Sequence, residues 1–332
     1  MPRTAPALPT LTTSTASIAG SRLVNLASNW WSPALSAEWA NLALISAAWG
    51  SSFLFVKLIS TSVPPFAFAA ERGLIAMAAL LVWIAVRRPA PRGPFGKLHT
   101  RLNWGLLGHI VVLGTTNGWA ANVLTAIAVR HADSSLVAVV QATVPLFVVL
   151  LAHFLFADER FRTVQFAGIV IGFVGILFVI GPLAVFGGHG TLIGVGAMLV
   201  TALCFACGTL YGRRVTACDT TLLACGQQGF GALVAGAISV MTEPATIGAQ
   251  SLQVWSLLLV VGVLCSAVPT LLYLKMLGRT TSGVAALVAY LQPVWAAWLG
   301  WVVLGEQMGT GVALGAALVL VGVAVSTRSR MA

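Results

Sequence analysis

From Asn41 onward the chain is a succession of apolar runs, each close to the length of a bilayer crossing and each ended by Pro, Gly or charge. About 20 apolar residues in a helix span a hydrocarbon core of about 30 Å, and a helix satisfies all its backbone polar groups within one segment. The runs fall at 41–60, 66–86, 103–128, 134–156, 164–181, 191–210, 221–241, 252–274, 282–304 and 309–326. The pattern predicts an all-α integral membrane protein of ten transmembrane helices. Composition excludes the alternatives: 58% of residues are hydrophobic and 8% charged, whereas a soluble domain carries about 25% charged residues. The 332 residues leave no length for a separate soluble catalytic domain.

Charge placement orients the bundle. Lys and Arg accumulate on the cytoplasmic side of membrane proteins. With the N-terminus inside, 15 of the 18 Lys and Arg fall in cytoplasmic segments; Arg130 falls outside, and Lys57 and Arg72 lie within spans. Both termini are therefore expected in the cytoplasm. The formal charge of +10 is scattered between apolar runs rather than gathered on one face, so no nucleic-acid partner is expected; the bilayer is the surrounding partner. Residues 1–40 are rich in Ala, Ser, Thr and Pro, lack an uninterrupted apolar core, and read as a cytoplasmic tail rather than a signal peptide. Cys204 and Cys207 form the one Cys-x-x-Cys pair, inside an apolar run with no His nearby, so they read as packing residues and no metal or cofactor is expected.

The second half of the chain repeats the first. Lys57 and Gly73 align with Arg213 and Gly229, Ala138 and Pro145 with Ala286 and Pro293, and Glu159, Gly168 and Gly175 with Glu306, Gly315 and Gly322. The boundaries are 41–181 for the first repeat and 190–327 for the second. Five spans per repeat is an odd number, so the two copies enter the membrane in opposite senses. Inverted repeats of this kind place a substrate site at their interface near the midplane and expose it to each side alternately.

The first copy carries Trp49-Gly50-Ser51-Ser52-Phe53 with Lys57, then Pro64, Pro65 and Arg72, then Pro145 with Asp158-Glu159. The second carries Gln292-Pro293-Val294-Trp295 and Leu304-Gly305-Glu306. On these motifs the chain resembles the drug/metabolite transporter superfamily, in its tandem EamA-type members. The resemblance implies a central cavity lined by spans one to four and six to nine, with five and ten as supports. It also implies export of small metabolites across a bacterial inner membrane, with amino acids, aromatic ones included, as the favoured substrate. Efflux of cationic compounds is the alternative. The second copy departs at Gln228, which stands where the family carries an Arg in the second span.

The expected cavity residues are Trp49, Asn117, Trp119, Asn122, Gln141, Gln227, Gln228, Tyr290, Gln292 and Trp295: amides that hydrogen-bond a polar solute without fixed charge, and aromatics that wall it. Charge within a span is costly, so Lys57, Glu71 and Arg72 are expected to gate or couple transport, or else to snorkel and pair, Glu71 with Arg72. Pro145 and Pro293 are expected to interrupt spans four and nine, each freeing a carbonyl toward the cavity. The Gly stripes of spans five and ten read as scaffold rather than as a dimer interface, which makes a monomer the expectation. An intramembrane enzyme would need clustered His and carboxylates, and a channel a charge ring or filter; the sequence carries neither.

Overall fold

Packing in lipid gains nothing from expelling water, so helices there associate through close backbone approach and polar ties. Both devices organise this chain. The computed structural model describes residues 33–87, 104–155, 163–186, 188–215, 218–243, 248, 250–277, 282–306 and 309–328. Most of the expected tail, the Asp158-Glu159 pair and the side chain of Tyr290 lie outside the described residues. Among the described residues every regular element is helical: α1 (Pro33–Ser60), α2 (Pro65–Arg87), α3 (Trp104–Leu113), α4 (Ala120–His131), α5 (Ser134–Gln141), α6 (Val144–Leu155) and α7 (Thr163–Phe186). The second half supplies α8 (Gly188–Arg214), α9 (Thr220–Thr242), α10 (Leu252–Gly262), α11 (Val268–Leu277), α12 (Ser282–Leu299) and α13 (Thr310–Arg328). Among the described residues, seven helical stretches are long and apolar enough to cross a membrane, and shorter apolar stretches at Phe166–Gly175, Leu291–Leu304 and Ala313–Gly322 fall where spans five, nine and ten were expected.

Equivalent spans of the two halves meet pairwise. α2 packs along α9, α5 against α12, and α7 along α13. Small residues permit the contact: a Cβ at Gly175 would stand 2.7 Å from the Val319 nitrogen, and one at Gly73 would stand 3.0 Å from the Ala232 Cβ. Gly322 in turn lies against the backbone of Gly168 and Gly172. Large side chains point outward, with Val82, Phe154, Leu233, Trp298 and Trp301 all more than 50% exposed or, for a lipid-facing protein, available to acyl chains.

Four spans are not continuous α-helix; the ninth follows α12 with a π-helical turn at Gly300–Leu304. Between α3 and α4 the chain makes a π-helical turn at Gly114–Trp119, with Gly118 at φ −91°, ψ −106°. Between α10 and α11 it makes a second, at Val263–Ala267. These are the corresponding spans of the two repeats, interrupted at corresponding places. The fourth span breaks at Ala142 and Thr143, and Pro145 then occupies the first turn of α6, where its missing N–H forfeits no bond. Pro293, by contrast, lies inside α12, which runs unbroken from Ser282 to Leu299. A further paired interruption, beyond the one expected at Pro145 and Pro293, thus lies in spans three and eight. Its physical cause in span eight is Pro269: without an N–H it cannot bond Cys265 O four residues back, and that carbonyl is released.

Candidate functional site

A cavity opens among the spans of both repeats. The centre of a water-sized sphere can occupy about 110 Å³ of it, several times the 10–15 Å³ that one water requires. Of the ten expected cavity residues, Trp49, Asn117, Asn122, Gln141, Gln227, Gln228 and Gln292 line it, as does Pro145. The interruptions place them: Asn117 sits in the π-helical turn of span three, and Gln141 is the last residue of α5 before the break. Gln228 Nε2 donates to Thr270 Oγ1 at 3.2 Å. The amides of Asn117 and Gln141 are different. Asn117 Oδ1 and Gln141 Oε1 are buried without a hydrogen-bond partner, an arrangement that native interiors reserve for water or ligand.

Trp119 and Trp295 are not among the lining residues. Trp119 packs with Ala69, Ala70, Val123 and Ala235, and Trp295 is 38% exposed, its ring edge-on to Trp298 at 5.9 Å. The aromatic wall is made instead by Trp49, Phe205 and Tyr273, with ring centroids 5.1 Å apart for Trp49 and Tyr273 and 6.4 Å for Trp49 and Phe205. Sequence reasoning missed Phe205 and Tyr273, because an apolar run does not reveal the rotation of its helix. Ser266 was missed as well. Its signal was Pro269, three residues on, within an otherwise apolar span.

Glu71 and Arg72 do not pair. Successive helical residues point about 100° apart. Arg72, 7% exposed, turns into the cavity: its Nε donates to Ser266 Oγ at 2.6 Å and its Nη2 to Cys265 O, the carbonyl released by Pro269, at 3.2 Å. Phe68 lies one turn earlier, its ring centroid 5.8 Å from the guanidinium carbon. Glu71 turns away, and its Oε1 accepts from the Gly248 N–H at 2.9 Å.

Lys57 does not line the cavity either. It belongs to a set of ties at one end of the bundle, each placing a charge on the helix terminus that attracts it. Lys57 Nζ donates to Val129 O at 2.6 Å and Ala132 O at 2.8 Å, at the C-terminus of α4. Arg130 donates to Ser60 O and Val63 O at the C-terminus of α1, at 2.7 and 2.8 Å. Glu243 accepts from the N–H groups of Phe66 and Ala67 at the N-terminus of α2. Glu306, in the turn after span nine, accepts from the N–H groups and hydroxyls of Ser134 and Ser135 at the N-terminus of α5, all at 2.9 to 3.1 Å. Burial pushes the Glu306 carboxyl up, but those donors outweigh it and hold it below the ordinary glutamate value. His109 is tied through Nδ1 to Tyr211 OH at 2.9 Å. No cluster of His, Cys, Asp and Glu able to hold a metal occurs among the described residues.

A polytopic helical bundle, built as two repeats that jointly line a cavity with amides from both, defines the class of membrane transporters. Comparison with known proteins gives the family. The model of the EamA-like transporter family matches twice, over residues 38–181 and 192–328, and the chain belongs to that family. It is 28% identical over 270 residues to the uncharacterized inner membrane transporter YedA of Escherichia coli, covering 78% of this chain and 80% of that one. It is 23% identical over 285 residues to the uncharacterized transporter YoaV of Bacillus subtilis, covering 85% and 94%. A solved crystal structure 20% identical superposes with a TM-score of 0.65 over 89% of this chain and 99% of the other, a likeness of fold.

Proposed function

We propose that this membrane transporter is a monomeric alternating-access carrier that exports small polar metabolites, amino acids foremost and aromatic ones among them, across a bacterial inner membrane. The observation that carries the reading is a single cavity whose uncharged amides come from both repeats: Asn117 and Gln141 from the first, Gln227, Gln228 and Gln292 from the second. A solute held by both halves is released when they rock about it, and the matched π-helical turns of spans three and eight are the discontinuities that such carriers place at the site. The Trp49, Phe205 and Tyr273 wall suits an apolar or aromatic side chain. The distribution of Lys and Arg supports cytoplasmic termini and, with them, an inverted pair of repeats. Efflux of cationic compounds loses support because the charged side chain lining the cavity is Arg72, itself a cation.

Counterflow in liposomes tests the proposal. Saturable exchange of labelled amino acids by the purified full chain is expected. Ohmic conductance, or chemical conversion of the solute, would defeat it.

A further inference from the structure

A lone cation in a transmembrane bundle is expensive, and proteins keep one where it pairs or meets a substrate. Arg72 has no carboxylate partner among the described residues. Its two hydrogen bonds go to neutral acceptors, Ser266 Oγ and Cys265 O, and its Nη1 makes none. The guanidinium is nonetheless fixed in orientation. Ser266 is held by its own donation to Val261 O at 2.8 Å, and Cys265 O receives no helical N–H from Pro269. Two of the five donors of the fork are thereby committed, and the rest of a preorganised planar cation remains at the cavity wall. The nearest carboxylate in sequence, Glu71, is turned to the Gly248 N–H and offers no competition.

Around the same cavity the unmet groups are acceptors: Asn117 Oδ1 and Gln141 Oε1, both buried and without partners. One unpaired cation and two unpaired acceptor oxygens form the complement of a solute that carries an anion at one point and N–H or O–H donors at another.

We propose that Arg72 is the anchor for a carboxylate, so that the solute is a small carboxylate-bearing metabolite whose donor groups face Asn117 and Gln141. This rests on the carrier reading and deepens it. The single positive charge selects a monocarboxylate or zwitterion over a cation, and its planar fork matches the two oxygens of a carboxylate. Gln228, from the second span of the other repeat, carries no charge, so the site is polarised rather than symmetric.

Binding to the purified full chain separates the outcomes, read as the rise in melting temperature with ligand concentration. The probes are L-phenylalanine and L-leucine, their carboxamides, phenethylamine, and 3-phenylpropionate. The acids should bind, and the carboxamides and the amine should not. Arg72→Gln should weaken acid binding by about ten- to hundredfold and abolish the preference for acid over amide. Arg72→Lys should keep the preference with lower affinity, and serves if Arg72→Gln does not fold. Ser266→Ala, which removes the acceptor from Nε, should weaken the acids and leave the amides as they were. A purely structural Arg72 would not alter the acid-to-amide ratio. The proposal is overturned if no carboxylate binds the wild type, if amides bind as well as acids, or if Arg72→Gln holds acid affinity within about twofold. Should 3-phenylpropionate bind and the amino acids not, the amino-acid reading falls while the anchor stands. Should acids bind without counterflow, the carrier reading falls separately.

Discussion

Lys57 and Arg130 each cap the helix that carries the other: the Lys57 ammonium sits on the carbonyls of Val129 and Ala132, and the Arg130 guanidinium on those of Ser60 and Val63. Two orphan C-termini, each with its negative dipole end, are thereby closed by cations from the neighbouring span. Two of the three ammonium donors of Lys57 are thereby committed, and the residue does not line the cavity. Its place is in the frame of the bundle.

Replacing either residue by Met should therefore cost stability and spare recognition. Charge-assisted hydrogen bonds to part-buried carbonyls are worth about 1.5–3 kcal/mol, and each substitution should lower stability by about that amount. The two ties hold the same pair of helices, so Lys57→Met with Arg130→Met should cost less than the sum of the single changes. Thermal unfolding in detergent reads this. A changed solute preference in Lys57→Met, with unaltered melting, would return Lys57 to the cavity.

The spans were legible because lipid imposes an apolar run on each of them, and the repeat because Gly175 and Gly322 must both be small where α7 meets α13. Seven of the expected cavity residues also line the cavity, since an amide in an apolar span needs somewhere polar to point. What escaped was angular. Adjacent charges at Glu71 and Arg72 allow either a pair or a gate from sequence, but helical geometry sends them to different surroundings. Phase along the helix likewise separates Trp49, which lines the cavity, from Trp295, which does not. Partnerships such as Glu306 with Ser134, 172 residues apart, exist only once the spans are assembled.

The α7 and α13 contact predicts a steep penalty for a single methyl. A Cβ at Gly175 would stand 2.7 Å from the Val319 nitrogen and 2.8 Å from Gly315 O, both backbone atoms that cannot rotate aside. Gly175→Ala should destabilise by about 1–3 kcal/mol, as overpacking does, and Gly322→Ala similarly. Gly196→Ala is the control: nothing lies within 4 Å of its added methyl, so it should be neutral or slightly stabilising through helix propensity. Equal melting temperatures for Gly175→Ala and Gly196→Ala would contradict the close approach.

Glu306 predicts an acid-sensitive tie between span nine and the start of α5. Its carboxyl is held below the ordinary value of 4.5 in the folded protein by the donors of Ser134 and Ser135, despite burial. A depressed folded pKa means that the stabilisation is fully present above the ordinary value and is lost as pH falls below it, through the folded pKa. Melting temperature of the wild type should decline across that acidic window. Glu306→Gln should melt lower at neutral pH and show a shallower decline, because it carries no proton-linked charge there. An identical acid limb in the two proteins would remove Glu306 from the tie.

Glu71 predicts the opposite kind of result, a buried acid whose neutralisation leaves transport unchanged. Its Oε1 accepts from the Gly248 N–H, and the residue is absent from the lining of the cavity, so its carboxyl stands apart from the amides expected to hold the solute. In Glu71→Gln the amide oxygen can keep the Gly248 bond while the charge is lost. Counterflow by Glu71→Gln, measured across external pH, should follow the wild-type profile, whereas Glu71→Ala should melt lower because Gly248 loses its acceptor. A flattened pH profile in Glu71→Gln would place a transported proton on this carboxylate, and the frame at this end of the bundle would then be part of the coupling.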